Sequence, residues 1–112
     1  MTNGTQAALA FAFALAALPF AASAAGDAKA GANKAYTCLG CHGVPNYSNA
    51  YPNYRVPKLG GQHAEYMVAA LKEYKSGDRK HPTMNAQASG LSDADMEDIA
   101  AYFAAQTAPA KN

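Results

Sequence analysis

Cys38-Leu39-Gly40-Cys41-His42 places two thiols three residues apart and an imidazole directly after the second. On a local turn of helix these three side chains share one face, because residues three and four apart stack on a helix surface. One planar group can then meet all three. The spacing is the attachment signature of a c-type haem, in which both thiols add to porphyrin vinyl groups and the histidine binds iron. Two other chemistries use similar residues. A C-x-x-C redox pair expects a strand before it, whereas the residues preceding Cys38 read as helix. A four-ligand zinc site needs another thiol or a paired histidine, and the chain has two cysteines in all.

An iron bound by one histidine has a second axial position, and its occupant separates a carrier from a catalyst. Of four methionines, Met1 lies in the leader, and Met67 and Met96 sit on apolar helix faces where a thioether is core. Met84 falls in a stretch from Asp78 to Gly90 that reads as irregular and polar. It is the expected distal ligand, with His81 as its rival. Thioether ligation raises the potential and closes the iron to substrate, which points to electron transfer. An iron-bound imidazole also needs its other N–H held by a carbonyl or carboxylate. In the loop Gly43 to Gly61, a carbonyl fixed by Pro57 or by Pro52 would serve. Tyr47, Tyr51 and Tyr54 in that loop read equally as haem-edge cover and as surface residues.

The elements that position these groups follow from periodicity. Asp27 is placed to cap a first helix carrying Ala28, Ala32, Ala35 and Tyr36 at helical intervals and running into the cysteines. Gln62 to Ser76 forms a second helix with Tyr66, Met67, Ala70, Leu71 and Tyr74 as its apolar stripe, ended by Gly77, and with His63 on the surface at its start. Ser92 and Asp95 form a capping box for a last helix that buries Met96, Ile99, Ala100 and Phe103. No strand-like alternation is evident, so the expected fold is all-α.

The chain has 112 residues with nine basic and eight acidic side chains, a net charge of +1. That is one domain, with no basic stripe of the kind that binds nucleic acid. Ala7 to Ala25 is uncharged and apolar, interrupted by Pro19, and ends in Ala22-Ser23-Ala24. It reads as an export signal cut after Ala24 or Ala25, although Met1 to Gln6 lacks a basic residue. The expected division is a signal peptide at 1–25, a single domain at 26–107 and a flexible tail at 108–112. Export to the periplasm fits cysteines that are consumed by a cofactor, and stable membrane insertion is not expected, an anchor formed by an uncleaved signal being the lesser alternative.

Taken together, Cys38-Leu39-Gly40-Cys41-His42-Gly43, Pro57-Lys58-Leu59-Gly60-Gly61-Gln62, Tyr66, Gly77-Asp78-Arg79, Met84-Asn85, Leu91-Ser92-Asp93 and Ala101-Tyr102-Phe103 resemble the class I cytochromes c. The pattern is similar to that of single-domain bacterial cytochromes c553 and to one half of the di-haem cytochromes c4; a second C-x-x-C-H is absent. The resemblance spans nearly the whole mature chain. It implies a small cytochrome c fold of about three main helices wrapped around one covalent haem c. It implies thioethers from Cys38 and Cys41, iron ligation by His42 and Met84, and the Pro57 carbonyl as partner of the His42 N–H. It further implies a haem-propionate contact for Arg79 and a hold on the Met84 sulfur by Asn85. The expected role is a periplasmic one-electron carrier and not an enzyme. Its donor would be a quinol-oxidising complex or dehydrogenase, and its acceptor an oxidase or reductase. The alternatives are a haem-bearing subunit of a larger oxidoreductase and, third, an open-site haem enzyme or sensor.

Overall fold

The computed structural model describes residues 25–106. The expected signal segment therefore lies outside the described residues except for Ala25, as does the tail. Helix α1 (Ala28–Lys34) is capped by Asp27, whose carboxylate accepts from the amides of Lys29 and Ala30. Helix α2 (Tyr36–His42) follows after a break at Ala35, so the expected single helix is two pieces. The buried face also differs from the expected one. Gly31 and Ala35 are buried, while Tyr36, the first residue after the break, is 74% exposed.

Between Gly43 and Gly61 the chain forms a short antiparallel hairpin, β1 (Ser48–Asn49) against β2 (Tyr54–Arg55). Two-residue strands are too short to show alternation, which is why the sequence reads as loop throughout. Helix α3 (Ala64–Ser76) ends at Gly77, whose φ of 84° is the left-handed conformation that glycine adopts without steric cost. His63 is exposed at its N-cap.

The irregular stretch expected at 78–90 contains a helix, α4 (Pro82–Ser89). Pro82 suits its first turn because its fixed φ is helical and no N–H is needed there. His81 caps it by accepting from the Met84 amide at 3.3 Å. With few large apolar residues, Pro-Thr-Met-Asn-Ala-Gln-Ala-Ser has no stripe for periodicity to detect. Helix α5 (Asp93–Ala104) opens with the expected capping box of Ser92 and Asp95.

Packing centres on α5, which meets both α1 and α3. Ala35, Met67, Ile99, Ala100 and Phe103 form the buried cluster. Helix α1 lies so close to α5 that a Cβ on Gly31 would fall on the carbonyl of Asp98. Polar contacts lock the same crossing. Lys34 Nζ reaches Asp95 Oδ1 at 2.8 Å and Asp98 Oδ2 at 2.7 Å, and the Asp27 amide donates to Asp98 Oδ1 at 2.7 Å.

This clasp predicts a pH dependence. The Lys34 ammonium, together with the amides of Ser92 and Asp27, holds the carboxyls of Asp95 and Asp98 below the usual carboxylate range. Carboxylates depressed in the folded state stabilise it above their ordinary pKa of about 4, and that contribution fades as the pH falls through the ordinary value toward the lowered ones. The same ion pairs raise Lys34, so its share persists until the pH climbs past the ordinary lysine value. In thermal melts, Lys34→Ala should be less stable than the parent between about pH 5 and 10, with the gap closing below about pH 4. A gap that persists undiminished well below about pH 4 would remove the clasp as its cause.

Candidate haem site

A cleft of about 490 Å³ opens between α2, the loop through Pro57, α3 and α4. Its size is within the roughly 300–1,000 Å³ that holds organic cofactors. Its floor is the far side of the core: Met67, Ile99 and Phe103 belong to both. Cys38, Cys41 and His42 line one wall, because the helical turn of α2 directs them to one side, and Met84 lines the cleft from α4. Residues more than forty apart in sequence thus face one space. Burial pushes the Cys38 thiol above its ordinary pKa.

His42 Nδ1 lies 2.6 Å from the carbonyl oxygen of Pro57. A carbonyl only accepts, so Nδ1 carries the proton and Nε2 of the neutral ring keeps the lone pair. His81 shows the opposite arrangement. Its Nδ1 accepts from the Met84 amide, which leaves the proton of the neutral ring on Nε2. Two histidines therefore line one cleft, one with a free lone pair and the other with an N–H.

Asn85 is used entirely on backbone. Its amide nitrogen donates to the carbonyls of Tyr74 at 2.7 Å and Arg79 at 2.9 Å, and its oxygen accepts from the His81 amide at 3.0 Å. It ties the end of α3, the 78–81 turn and the start of α4 into one unit that carries Met84. The contacts it makes are thus to the chain around Met84 rather than to the sulfur. Arg79 stands at the cleft with its guanidinium 4.8 Å above the Tyr74 ring and 3.4 Å from the Tyr66 hydroxyl, and the Tyr66 bond holds it charged.

The three loop tyrosines divide. Tyr54 lines the cleft, Tyr47 is half-buried elsewhere, and Tyr51 is 95% exposed. Thr83 and Gln87 also line the cleft. Sequence reasoning missed both, and the only available signal was their spacing of one position before and three after Met84 on a helix it had not assigned.

The donor set and the lining fit a haem on chemical grounds. The floor is apolar, two thiols and an imidazole lone pair converge on it, and Arg55, Lys58 and Arg79 are the charged residues of the lining. A haem needs an apolar bed for its ring and cations for its carboxylates; carboxylate side chains are absent from this lining.

Residues 28–106 match the cytochrome c family. The chain is 46% identical over 85 residues to cytochrome c-554(548) of Halomonas halodenitrificans, a match covering 73% of this chain and 99% of that protein. It is 47% identical over 85 residues to cytochrome c4 of Pseudomonas aeruginosa, covering 76% of this chain and 41% of that protein. The fold is similar to the crystal structure of reduced cytochrome c4 from Pseudomonas stutzeri, with a TM-score of 0.57 and 29% identity over 71% of this chain and 48% of the other. The chain thus spans all of one relative but less than half of each c4. It belongs to the cytochrome c family, it has the mostly helical fold of that family, and its cofactor is haem c.

Proposed function

We propose that this chain is a mono-haem electron carrier of the periplasm, with Cys38 and Cys41 as thioether donors and His42 and Met84 as axial ligands. Bound haem iron supplies a centre that cycles between two oxidation states one electron apart. The residues around it do the rest. Pro57 orients the His42 ring and strengthens it as a donor because its carbonyl accepts a hydrogen bond from the His42 Nδ1–H. Asn85 and His81 fix the turn of α4 that presents Met84. Arg79, with Arg55 and Lys58, lines the cleft, where these cations would offset the charge of the propionates.

The observation that carries this reading is the contrast between the two histidines. His42 offers Nε2 as a donor, whereas His81 has committed its Nδ1 to the cap of α4 and offers an N–H. Met84 is then the donor on the α4 wall. His42 and Met84 together would occupy both donor positions of a bound iron, an arrangement suited to electron transfer rather than to chemistry on a bound substrate. Among the described residues no helix is long and apolar enough to cross a membrane. The partners are redox proteins, with a dehydrogenase or quinol-oxidising complex as donor and an oxidase or reductase as acceptor. The domain is 26–107, with 1–25 removed on export.

Mass analysis of the protein from a periplasmic extract tests this directly. The expected species starts at Ala25 or Gly26, exceeds the bare chain by one haem, and titrates as a single one-electron couple. A colourless protein of bare-chain mass would overturn the assignment. Migration solely within a stable assembly would make it a subunit rather than a shuttle.

A further inference from the structure

The walls of the cleft come from distant parts of the chain. One is the loop through Pro57, which holds the His42 ring; the other is α4, which carries Met84. Asn85 fastens α4 to α3 and to the 78–81 turn, but makes no contact with the hairpin loop. That contact is made by Tyr54. Its hydroxyl shares a hydrogen bond with Thr83 Oγ1 at 3.2 Å. Its ring meets the His81 ring edge-on, with centroids 4.6 Å apart and planes at 83°. On its other side His81 stands edge-on to Tyr74 of α3, at 6.4 Å and 76°.

Tyr54 is three residues before Pro57 and in β2, so it is anchored to the hairpin. Thr83 directly precedes Met84, and His81 accepts from the Met84 amide. The two contacts of Tyr54 therefore fall on residues of the turn that presents Met84, one of them its immediate neighbour in sequence. Nothing in the capping of α4 requires an aromatic neighbour, and the Tyr54–Thr83 hydrogen bond is exposed, where water could satisfy both hydroxyls. What the pair does instead is cross the cleft.

We propose that Tyr54 is a positioning residue for the distal ligand: by bridging the Pro57 loop to Thr83 and His81 at the start of α4, it holds the Met84 wall at a fixed distance from the His42 wall. The inference rests on the assignment of His42 and Met84 as axial ligands. A methionine–iron bond is weak enough to open transiently, and a clasp across the cleft shifts that equilibrium toward the closed form. Loosening the clasp should expose the iron to an added ligand more often without altering the ring on the His42 side.

The test uses the ferric holoprotein and imidazole as the competing ligand, followed by absorption. Tyr54→Phe keeps the ring and removes the hydroxyl, and Thr83→Val removes its partner. Each should raise imidazole affinity about two- to fivefold, the span expected for one partly exposed hydrogen bond. The double variant should gain no more than either single one, since both remove the same interaction. Tyr54→Ala, which also loses the contact with His81, should exceed them. A purely structural residue would lower the melting temperature and leave imidazole affinity where it was, and that result would overturn the proposal. Additive effects in the double variant would equally remove the Tyr54–Thr83 bond as the cause. If Tyr54→Ala does not fold, the Phe and Val variants decide alone. Failure of the ligand assignment looks different: Met84→Ala would then bind imidazole no more tightly than the parent.

Discussion

Met84→Ala should leave a red, haem-bearing protein whose reduction potential has fallen. Both thiols and the His42 wall are untouched, because Met84 approaches from α4 while Cys38, Cys41 and His42 lie together on α2. The loss is confined to one donor. A thioether favours ferrous iron, and axial ligands move haem potentials over roughly 0.8 V, so a drop on the order of 0.1 V or more is expected. The weak long-wavelength band of a methionine–iron bond should vanish from the oxidised spectrum, and imidazole should bind far more tightly. His81 would have to give up the bond that its Nδ1 accepts from the residue 84 amide before Nε2 could replace the lost thioether. An unchanged potential and spectrum would remove Met84 from the iron.

The second large effect concerns the fold. Cys38→Ser with Cys41→Ser should yield a colourless chain that melts without a cooperative transition. The core explains why. The largest fully buried side chains are Phe103 and Met96, and Met67, Ile99 and Phe103 are shared between the buried cluster and the cleft. Those three are buried, but the apolar lining around them, Val56, Leu59, Leu71 and Met84, is only partly covered and faces water when no group fills the cleft. A domain of this size holds net stability of about 4–12 kcal/mol, so losing the burial that a bound group gives this lining removes a large share of it. Circular dichroism against temperature, compared with the intact holoprotein, measures the outcome. A sharp melting transition in the double variant would show that the polypeptide core suffices alone.

Neither result depends on knowing the redox partners. Both follow from a cleft that is part of the core and part of the functional site at once. The charged residues divide accordingly. Arg55, Lys58 and Arg79 stand at the cleft, whereas Asp93, Asp95, Glu97 and Asp98 lie on α5 with Lys34 clasped beside them. The near-zero net charge conceals this separation.

Sequence alone determined whatever rests on residue type and local spacing. The C-x-x-C-H run specifies its cofactor because three donors within one helical turn need no tertiary information to share a face. The Asp27 cap, the left-handed Gly77, the Ser92–Asp95 box and the buried face of α5 are likewise local, being set by propensity and a 3.6-residue period. Tertiary structure alone decided whatever depends on which distant groups meet. Residue chemistry left Pro52 and Pro57 open as partners for His42, and the backbone path places the Pro57 carbonyl against the ring. Helix α4 is tied at its start by His81, Asn85 and Tyr54 and packs against α3 through small residues such as the buried Ala88, so no stripe of large apolar residues announces it. The protonated nitrogen of each histidine is decided the same way, since a hydrogen-bond partner fifteen residues away for His42, or three for His81, fixes where the lone pair remains.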